Sequence, residues 1–325
     1  MEAAHKTALV AGAGGFIGGH LVADLLRDGC TVVRAVDIRP PEEWQQRSPQ
    51  AESLQLDLSA SDTCHQVVDG VDEVYNLAAD MGGIGYISQN QARPMLSVLI
   101  NANLLLAAQQ QDVRRYFYAS SACVYPTIRQ TTATVSPLRE EDVLPALPDG
   151  GYGWEKLFSE QMCQAFTGDL GLPTRIARLH NAYGPWGTYH GGREKAPAAI
   201  CRKIAEAELS GRHEIEIWGD GEQTRSFMYI DDCIEGIKHI MASDVARPLN
   251  LGSSELVTIN QLVDLVEETA GIKVRRRHNL SAPVGVRGRN SDNTLIHAQL
   301  GWEPSTPLRE GIARTYEWVR DRLAS

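Results

Sequence analysis

The sequence predicts an α/β fold, a doubly wound parallel sheet with a second, smaller lobe of mixed α/β structure. Short apolar runs alternate with longer segments whose apolar residues recur at helical spacing, and the chain has no internal repeat. Beyond residue 180 this alternation loosens into a glycine-rich loop followed by short strands and helices. Because consecutive βαβ units form parallel sheets, the first part is predicted to be the sheet and the second part the lobe.

Each predicted element has its own local signal. Thr7–Ala11 is apolar and precedes glycines and a helical pattern over residues 16–26, which predicts a strand, a tight turn and a helix. One long helix is predicted to end near residue 110 and another to begin near Tyr152, after a Pro-rich acidic loop at 137–149. Two late helices are expected to close the chain. Further strands are predicted at residues 31–36, 53–56, 72–78, 114–119, 174–179, 214–218 and 226–230.

Composition is that of an ordinary globular protein. The 325 residues are 43% hydrophobic and 22% charged, which is enough chain for one large domain or two modest ones. The net charge of -10 argues against nucleic acid as a partner, while a local basic pocket for one anionic small molecule stays compatible with it.

Six cysteines are spread along the chain without a Cys-x-x-Cys pair or a nearby histidine at metal-ligand spacing. This distribution predicts neither a disulfide framework nor a metal site. Residues 1–6 run into the first strand without an apolar signal core, and no later apolar stretch is long enough to span a bilayer. We therefore expect a cytoplasmic protein without a membrane partner.

The turn after the first strand predicts a dinucleotide site. Gly12, Gly15 and Gly18 permit the tight turn, the approach of backbone to a pyrophosphate and the packing of helix on strand. Asp37 ends the second strand, where a carboxylate binds the ribose 2′-hydroxyl. A carboxylate repels a 2′-phosphate and so favours NAD, although Arg39 keeps NADP open. The candidate cofactor contacts that this pattern indicates in the Rossmann domain are Gly12, Gly15, Phe16, Ile17, Gly18 and Asp37.

Tyr152 and Lys156 are spaced i, i+4 and therefore share one face of the predicted helix. A lysine ammonium near a phenol lowers the pKa of the phenol, which makes Tyr152 a usable base near neutral pH. The strand at 114–119 runs into the polar side chains of Ser121 and Cys123, at the carboxyl edge where open α/β sheets bind ligands. An inert buried thiol is nevertheless the commonest fate of a cysteine.

These motifs together resemble the extended short-chain dehydrogenase/reductase superfamily, in its branch that modifies nucleotide sugars. Ser121, Tyr152 and Lys156 match its Ser-Tyr-Lys constellation. Within that branch, sugar-nucleotide 4,6-dehydratases carry an Asp-Glu pair where this chain has Ala122 and Cys123. The resemblance implies that the acid for water loss is missing while a base remains as a thiol, which predicts epimerisation.

Longer stretches resemble the GDP-mannose 3,5-epimerases of the NAD-dependent epimerase/dehydratase family. They begin at residues 78, 120, 180, 191, 219 and 286, and include Ser-Ser-Ala-Cys-Val-Tyr-Pro and Gly-Gly-Arg-Glu-Lys-Ala-Pro. The resemblance implies tightly bound NAD as cofactor and GDP-D-mannose or related GDP-sugars as substrate. The resemblance adds five residues to the candidate cofactor contacts, namely Asp57, Leu58, Ala78, Tyr152 and Lys156. It also implies that Cys123 and Lys195 are paired acid/base residues, that Tyr152 is the oxidising base, and that Ser121 binds a sugar oxygen.

The same resemblance implies a set of substrate contacts, of which three cations are candidates for the two phosphates. The candidate cations are Lys203, Arg225 and Arg289. The full set is Gly82, Ser121, Ala122, Cys123, Asn181, Glu194, Lys195, Ala196, Lys203, Gln223, Thr224, Arg225 and Arg289.

The implied reaction inverts carbons 3 and 5 of the mannose through a 4-keto intermediate, giving GDP-L-galactose and, by single inversion, GDP-L-gulose. The alternatives are a UDP-hexose 4-epimerase, a nucleotide-sugar 4,6-dehydratase or, from another class, a non-catalytic NAD-binding regulatory protein. By analogy with the superfamily, the two long helices are expected to pair subunits into a homodimer. Residues 1–180 with parts of 220–255 are expected to bind NAD, and residues 181–220 with 255–325 to form the substrate-binding lobe.

Overall fold

The structure, a computed structural model, describes residues 6–324. The prediction that residues 1–5 contain no signal core lies outside the described residues. Within residues 6–324, none of the helices combines the length and apolar character that a bilayer crossing needs.

The strands are β1 Thr7–Ala11, β2 Val32–Asp37, β3 Glu52–Gln55, β4 Glu73–Asn76, β5 Arg115–Ser121, β6 Thr174–Leu179, β7 Asn181–Tyr183, β8 Glu214–Trp218, β9 Thr224–Tyr229, β10 Leu249–Leu251, β11 Leu256–Thr258, β12 Arg275–Asn279 and β13 Gly288–Arg289. The helices are α1 Phe16–Arg27, α2 Ser61–Val68, α3 Ile84–Ile87, α4 Ala92–Met95, α5 Ser97–Gln110, α6 Gly150–Leu170, α7 Ala196–Ser210, α8 Ile230–Ala242, α9 Ile259–Ala270, α10 Thr294–Leu300 and α11 Leu308–Ala324.

A seven-stranded sheet confirms the predicted fold class. Its order is β10-β6-β5-β4-β1-β2-β3, and each neighbouring pair is parallel. In β5, Tyr116, Phe117 and Tyr118 are each at most 1% exposed, as expected for a strand with both faces covered. The chain order reverses between β1 and β4, so their carboxyl ends form the switch point at which such sheets bind ligands.

The other strands form two smaller sheets. In one, β9 pairs with β7, β11 and β13, and in the other β8 pairs with β12 in parallel. Strands β7, β10, β11 and β13 have two or three residues each and are absent from the sequence prediction. Runs this short display no alternation from which a strand is recognised.

Several predicted elements differ from the structure at their ends or in number. The strand predicted at 226–230 is β9, and residue 230 already begins α8. The prediction of two late helices is wrong, because the described chain has four helices after β9, from α8 to α11. Helix α8 follows β9 without an intervening turn residue, and α10 has only seven residues, so neither has a clear boundary signal.

Replacing Gly18 by alanine is expected to destabilise the fold by about 1–3 kcal/mol. A Cβ at residue 18 would lie 2.2 Å from the carbonyl oxygen of Gly12, so α1 must move away from the turn. Gly168→Ala is the matched control, because a Cβ at that position in α6 meets nothing within 4 Å. Urea denaturation of both variants should show Gly18→Ala less stable than the wild type and the control no less stable. Equal stability of Gly18→Ala and wild type would contradict this packing.

Candidate active site

The carboxyl ends of β1 and β2 carry the glycine turn and the acidic residue predicted to bind the cofactor. Gly12 has a φ of +82°, and a Cβ there would lie 2.9 Å from the backbone nitrogen of Ala78. Helix α1 begins at Phe16 without a side-chain cap, so its first N–H groups are available to an anion. The Asp37 carboxylate accepts a hydrogen bond from the backbone N–H of Gly14 at 3.0 Å, which holds it beside the turn.

Arg39, which kept NADP open in the sequence, lies against Asp37. Its backbone N–H and its Nε donate to Oδ1 of Asp37 at 3.0 and 3.1 Å. The charge of the arginine is therefore compensated by the carboxylate. Asp57 follows β3, and its Oδ1 accepts a hydrogen bond from the backbone N–H of Ser59 at 2.8 Å. A glycine turn, an uncapped helix and a carboxylate at the ribose position fit NAD.

A tight turn after β5 brings the predicted catalytic residues together. Ser121 ends the strand, and its Oγ accepts a hydrogen bond from the backbone N–H of Cys123 at 3.2 Å. The backbone N–H of Asp149 donates to the carbonyl oxygen of Cys123 at 2.9 Å. A Cβ at Gly153 would lie 2.3 Å from that same oxygen, so glycine permits the contact between α6 and the turn. Tyr152, in the first turn of α6, is thereby held close to Ser121 and Cys123.

The Tyr152 and Lys156 pair is buried and is compensated by neighbours that the sequence reasoning missed. Burial raises the pKa of the Tyr152 phenol. The Nζ of Lys156 lies 5.6 Å from the centre of the Tyr152 ring and donates to the Tyr118 hydroxyl at 3.1 Å. The carboxylate of Glu155 lies 3.6 Å from the Nζ of Lys156 and compensates part of its positive charge. Burial is therefore the largest influence on the pKa of the phenol in this structure, and Lys156 does not produce the predicted lowering.

One cavity of about 620 Å³ collects the predicted substrate residues. Tyr152 lines it, and Lys156 does not. Thr224 does not line the cavity, because its hydroxyl donates to the carbonyl oxygen of Ala133 at 2.6 Å. The predicted contacts that do line it are Gly82, Ser121, Ala122, Cys123, Asn181, Glu194, Lys195, Ala196, Lys203, Gln223, Arg225 and Arg289.

Lys195 directly precedes α7 and lines the same cavity as Cys123. Burial lowers the pKa of the Lys195 ammonium, and the largest opposing influence is the charge of Cys123. The two side chains are thus close enough to affect one another. A lowered pKa gives a larger share of neutral amine near neutral pH, which is the form that accepts a proton.

Arg289 reaches the sulfur of Cys123 from the opposite end of the chain. Its NH1 donates to Sγ at 3.3 Å, its Nε donates to Oε1 of Gln130 at 2.5 Å, and its NH2 donates to Oδ2 of Asp149 at 3.3 Å. The sequence reasoning offered Arg289 as a phosphate cation and did not identify Gln130 or Asp149. These contacts place a positive charge beside the thiol, where it stabilises negative charge on sulfur.

The other candidate phosphate cations are held by backbone carbonyls. Lys203 donates to the carbonyl oxygen of Glu216 at 2.7 Å. Arg225 donates to the carbonyl oxygens of residues 284 and 286 at 3.1 and 2.6 Å, and burial lowers its pKa to about 10. Arg202 also lines the cavity and was missed. It follows Lys195 by seven residues, two helical turns, and this spacing is the signal that indicates it.

The sheet, the glycine turn and the Ser-Tyr-Lys geometry define a short-chain dehydrogenase/reductase type of nucleotide-sugar enzyme. The chain belongs to the NAD-dependent epimerase/dehydratase family, which matches residues 8–252. It is 42% identical to GDP-mannose 3,5-epimerase 1 of Oryza sativa subsp. japonica over 321 residues, covering 97% of this chain and 82% of the relative. The figures for GDP-mannose 3,5-epimerase of Arabidopsis thaliana are the same. The resemblance predicted from the sequence is confirmed.

A solved structure shows the same fold over nearly the whole chain. The UDP-glucose 4-epimerase of Thermotoga maritima, solved with UDP-glucose, has a TM-score of 0.87 and 25% identity to this chain. The comparison covers 98% of this chain and 99% of that one. The extended fold of the nucleotide-sugar epimerases therefore accounts for both the large sheet and the smaller sheets.

Proposed function

We propose that this protein is an NAD-dependent epimerase that inverts carbons 3 and 5 of the mannose of GDP-D-mannose. The products are GDP-L-galactose and, by single inversion, GDP-L-gulose. The observation that carries the proposal is that one cavity of about 620 Å³ is lined by Tyr152, Cys123 and Lys195, a base for oxidation and two candidate acid/base groups for inversion. The 42% identity to the rice GDP-mannose 3,5-epimerase supports the choice of substrate.

In the proposed mechanism, Tyr152 takes the proton of the 4-hydroxyl, and Ser121 donates a hydrogen bond to the same oxygen. The chemistry supplied by bound NAD is reversible removal of the C4 hydride, which makes the sugar a 4-ketone in the interval. Carbons 3 and 5 are then both α to a carbonyl and acidic. One of Cys123 and Lys195 removes a proton from one face, and the other returns a proton to the opposite face.

The structure's electrostatics support this division of roles. The lowered pKa of Lys195 increases its neutral form, so that it can accept a proton as well as donate one. Arg289, at 3.3 Å from the sulfur of Cys123, stabilises negative charge on that side of the sugar. We propose that Lys203 and Arg225 bind the diphosphate, with Arg202 as an additional cation, and that Arg289 acts at the sugar.

GDP-mannose incubated with the purified protein in heavy water is expected to gain deuterium at carbons 3 and 5. The measurement is proton NMR of the recovered nucleotide sugars, together with their mass. Deuterium enters because each inverted carbon is reprotonated by a group that exchanges with solvent. Loss of water from the product would indicate a dehydratase, inversion at carbon 4 alone a 4-epimerase, and NAD binding without turnover a regulatory protein.

We also propose a homodimer formed through α5 and α6. These helices pack on each other and expose apolar side chains, among them Leu99 and Leu106 from α5 and Trp154 and Phe158 from α6. Two such helices from each of two subunits would cover these side chains in a four-helix interface.

Phe158→Glu is expected to shift the protein from dimer to monomer, because it places a charge in the proposed apolar interface. Phe158 is 58% exposed. Leu280→Glu is the control, since Leu280 is 76% exposed and lies between β12 and β13. Sedimentation equilibrium should give half the wild-type mass for the first variant and the wild-type mass for the second. A wild type that is already monomeric would refute the dimer.

Two further proposals concern organisation and compartment. We propose that residues 1–180 with parts of 220–255 bind NAD, and that residues 181–220 with 255–325 form the substrate-binding lobe. β10 at Leu249–Leu251 supports this division because it pairs with β6 in the large sheet. We propose a cytoplasmic location, which the six free thiols support because a reducing compartment keeps cysteines in that state.

A further inference from the structure

His180 is a buried side chain at the active-site edge of the sheet that the mechanism does not use. It follows β6 directly and is 3% exposed. Its backbone N–H donates to the carbonyl oxygen of Leu251 at 2.9 Å, and His180 is among the residues that line the cavity, together with Cys123 and Arg289. Because Ser121 and Leu179 lie opposite each other in β5 and β6, His180 is one residue beyond the level of Ser121.

The hydrogen bonds of Asn250 decide which nitrogen of His180 carries the proton. The Nδ2 of Asn250 donates to the carbonyl oxygens of Leu138 and Asp292 at 2.8 and 3.3 Å, which fixes the orientation of the amide. Its Oδ1 accepts a hydrogen bond from the Tyr125 hydroxyl at 2.6 Å and faces Nε2 of His180 at 3.4 Å. An acceptor opposite Nε2 requires Nε2 to be the protonated nitrogen.

Nδ1 of His180 is therefore a lone-pair acceptor. It is buried and has no hydrogen-bond partner among residues 6–324. Protonation does not satisfy it near neutral pH, because burial and the nearby charges of Arg289 and Arg178 lower the pKa of His180 to about 3. A buried acceptor without a hydrogen-bond partner has a cost in free energy, and a donor that binds to it removes that cost.

We propose that Nδ1 of His180 accepts a hydrogen bond from an uncharged donor of the ligand bound in this cavity. The inference rests on the proposed function, which brings two such donors to the ends of β5 and β6. One is a hydroxyl of the hexose, and the other is the carboxamide N–H of the nicotinamide of NAD. A cationic donor is excluded, since the positive charge of Arg289 is close by.

Two amide substitutions separate the ligand role from a structural one. His180→Gln puts an amide near the position of Nε2, so it retains a donor for Asn250 and lacks an acceptor at Nδ1. His180→Asn puts an amide oxygen near the position of Nδ1, so it retains the acceptor and loses the bond to Asn250. The ligand role predicts weaker ligand binding for the glutamine variant, whereas a structural role in the Asn250 network predicts that the asparagine variant is the more impaired.

The experiment measures binding to the NAD-loaded protein in three arms. Calorimetric titration gives the affinities for GDP-mannose and for GDP, which lacks the hexose. Displacement of bound NAD by ADP-ribose, which lacks the nicotinamide, gives the ratio of those two affinities. If the donor is a sugar hydroxyl, His180→Gln lowers the GDP-mannose affinity roughly tenfold and leaves GDP unchanged. If the donor is the carboxamide, the concentration of ADP-ribose that displaces NAD is roughly tenfold lower for His180→Gln than for the wild type.

The proposal is overturned if His180→Gln matches the wild type in all three arms, or if His180→Asn binds more weakly than His180→Gln. Thermal melts identify a variant that does not fold. Should the glutamine variant not fold, His180→Asn decides alone, because the proposal requires it to give the wild-type result in all three arms. A wild type that binds no GDP-mannose refutes the proposed function and the hydroxyl donor together, and the displacement arm then tests the carboxamide donor by itself.

Discussion

Cys123→Ser is expected to lower deuterium entry at carbons 3 and 5 of GDP-mannose by about 10²–10⁴-fold, the usual contribution of one acid/base group. A serine hydroxyl is a far weaker acid than a thiol and does not supply the anion needed to remove a carbon-bound proton. The turn that holds residue 123 should survive, because the Ser121 cap and the Asp149 contact both use the backbone of that residue. Proton NMR in heavy water measures the loss at each carbon.

The control for that experiment is Cys30→Ser. Cys30 is another buried thiol, and its Sγ donates to the carbonyl oxygen of Lys6 at 3.1 Å, a bond that serine keeps. It is expected to leave inversion unchanged. Oxidation at carbon 4, followed by nicotinamide absorbance, should persist in Cys123→Ser because Tyr152 is intact. Inversion at the wild-type rate in Cys123→Ser would eliminate the two-group mechanism.

The sequence was sufficient for the cofactor end of the fold because its signals are local. The turn at Gly12, the start of α1 and Asp37 at the end of β2 lie within 26 residues of chain, and each has a physical reason to be where it is. The structure places them together at the carboxyl edge of the sheet, as predicted. Local spacing also places Tyr152 and Lys156 on one face of α6.

The surroundings of Cys123 were beyond sequence reasoning because they depend on contacts between distant segments. Arg289 is 166 residues from Cys123 and reaches it from β13, a strand of two residues without any periodic signal. Gln130 accepts a hydrogen bond from Arg289 and lies at the end of a short helical turn. The residues next to Gln130 in the sequence give no signal that would identify it as part of the site. The same applies to His180, whose free acceptor follows from hydrogen bonds made by Asn250 in β10.

The pair Tyr152 and Lys156 shows a different limit. Helical spacing correctly put both on one face, and from there the sequence predicted a direct effect of the ammonium on the phenol. The structure instead has Tyr118 and Glu155 around the ammonium. Helical spacing predicts that two side chains are neighbours. How strongly the charge of one shifts the pKa of the other depends also on the other groups that contact the charged side chain.

Lys195→Met is expected to abolish inversion as completely as Cys123→Ser, because an inverted carbon needs one group to remove the proton and another to return it. Lys195→Arg is the matched control, since it keeps a positive charge but is not deprotonated near neutral pH and therefore cannot accept a proton. Both variants should lose deuterium-labelled inverted product by about 10²–10⁴-fold. Inversion in the arginine variant would mean that residue 195 contributes charge and not proton transfer.

The methionine variant also gives a stability signature with a definite sign. Burial lowers the pKa of Lys195 in the folded protein below its unfolded value of about 10.4, so the unfolded chain binds the proton more tightly. Between those two pKa values the stability of the wild type rises with pH, while this contribution is absent from Lys195→Met. In denaturant titrations, the free energy of unfolding of Lys195→Met relative to that of the wild type should therefore be higher at neutral pH than at high pH. This gap between the two proteins should close as the pH approaches about 10. A gap that widens with pH would mean that the ammonium is stabilised where it lies, and Lys195 would then be a poor proton acceptor at the face of the sugar opposite Cys123.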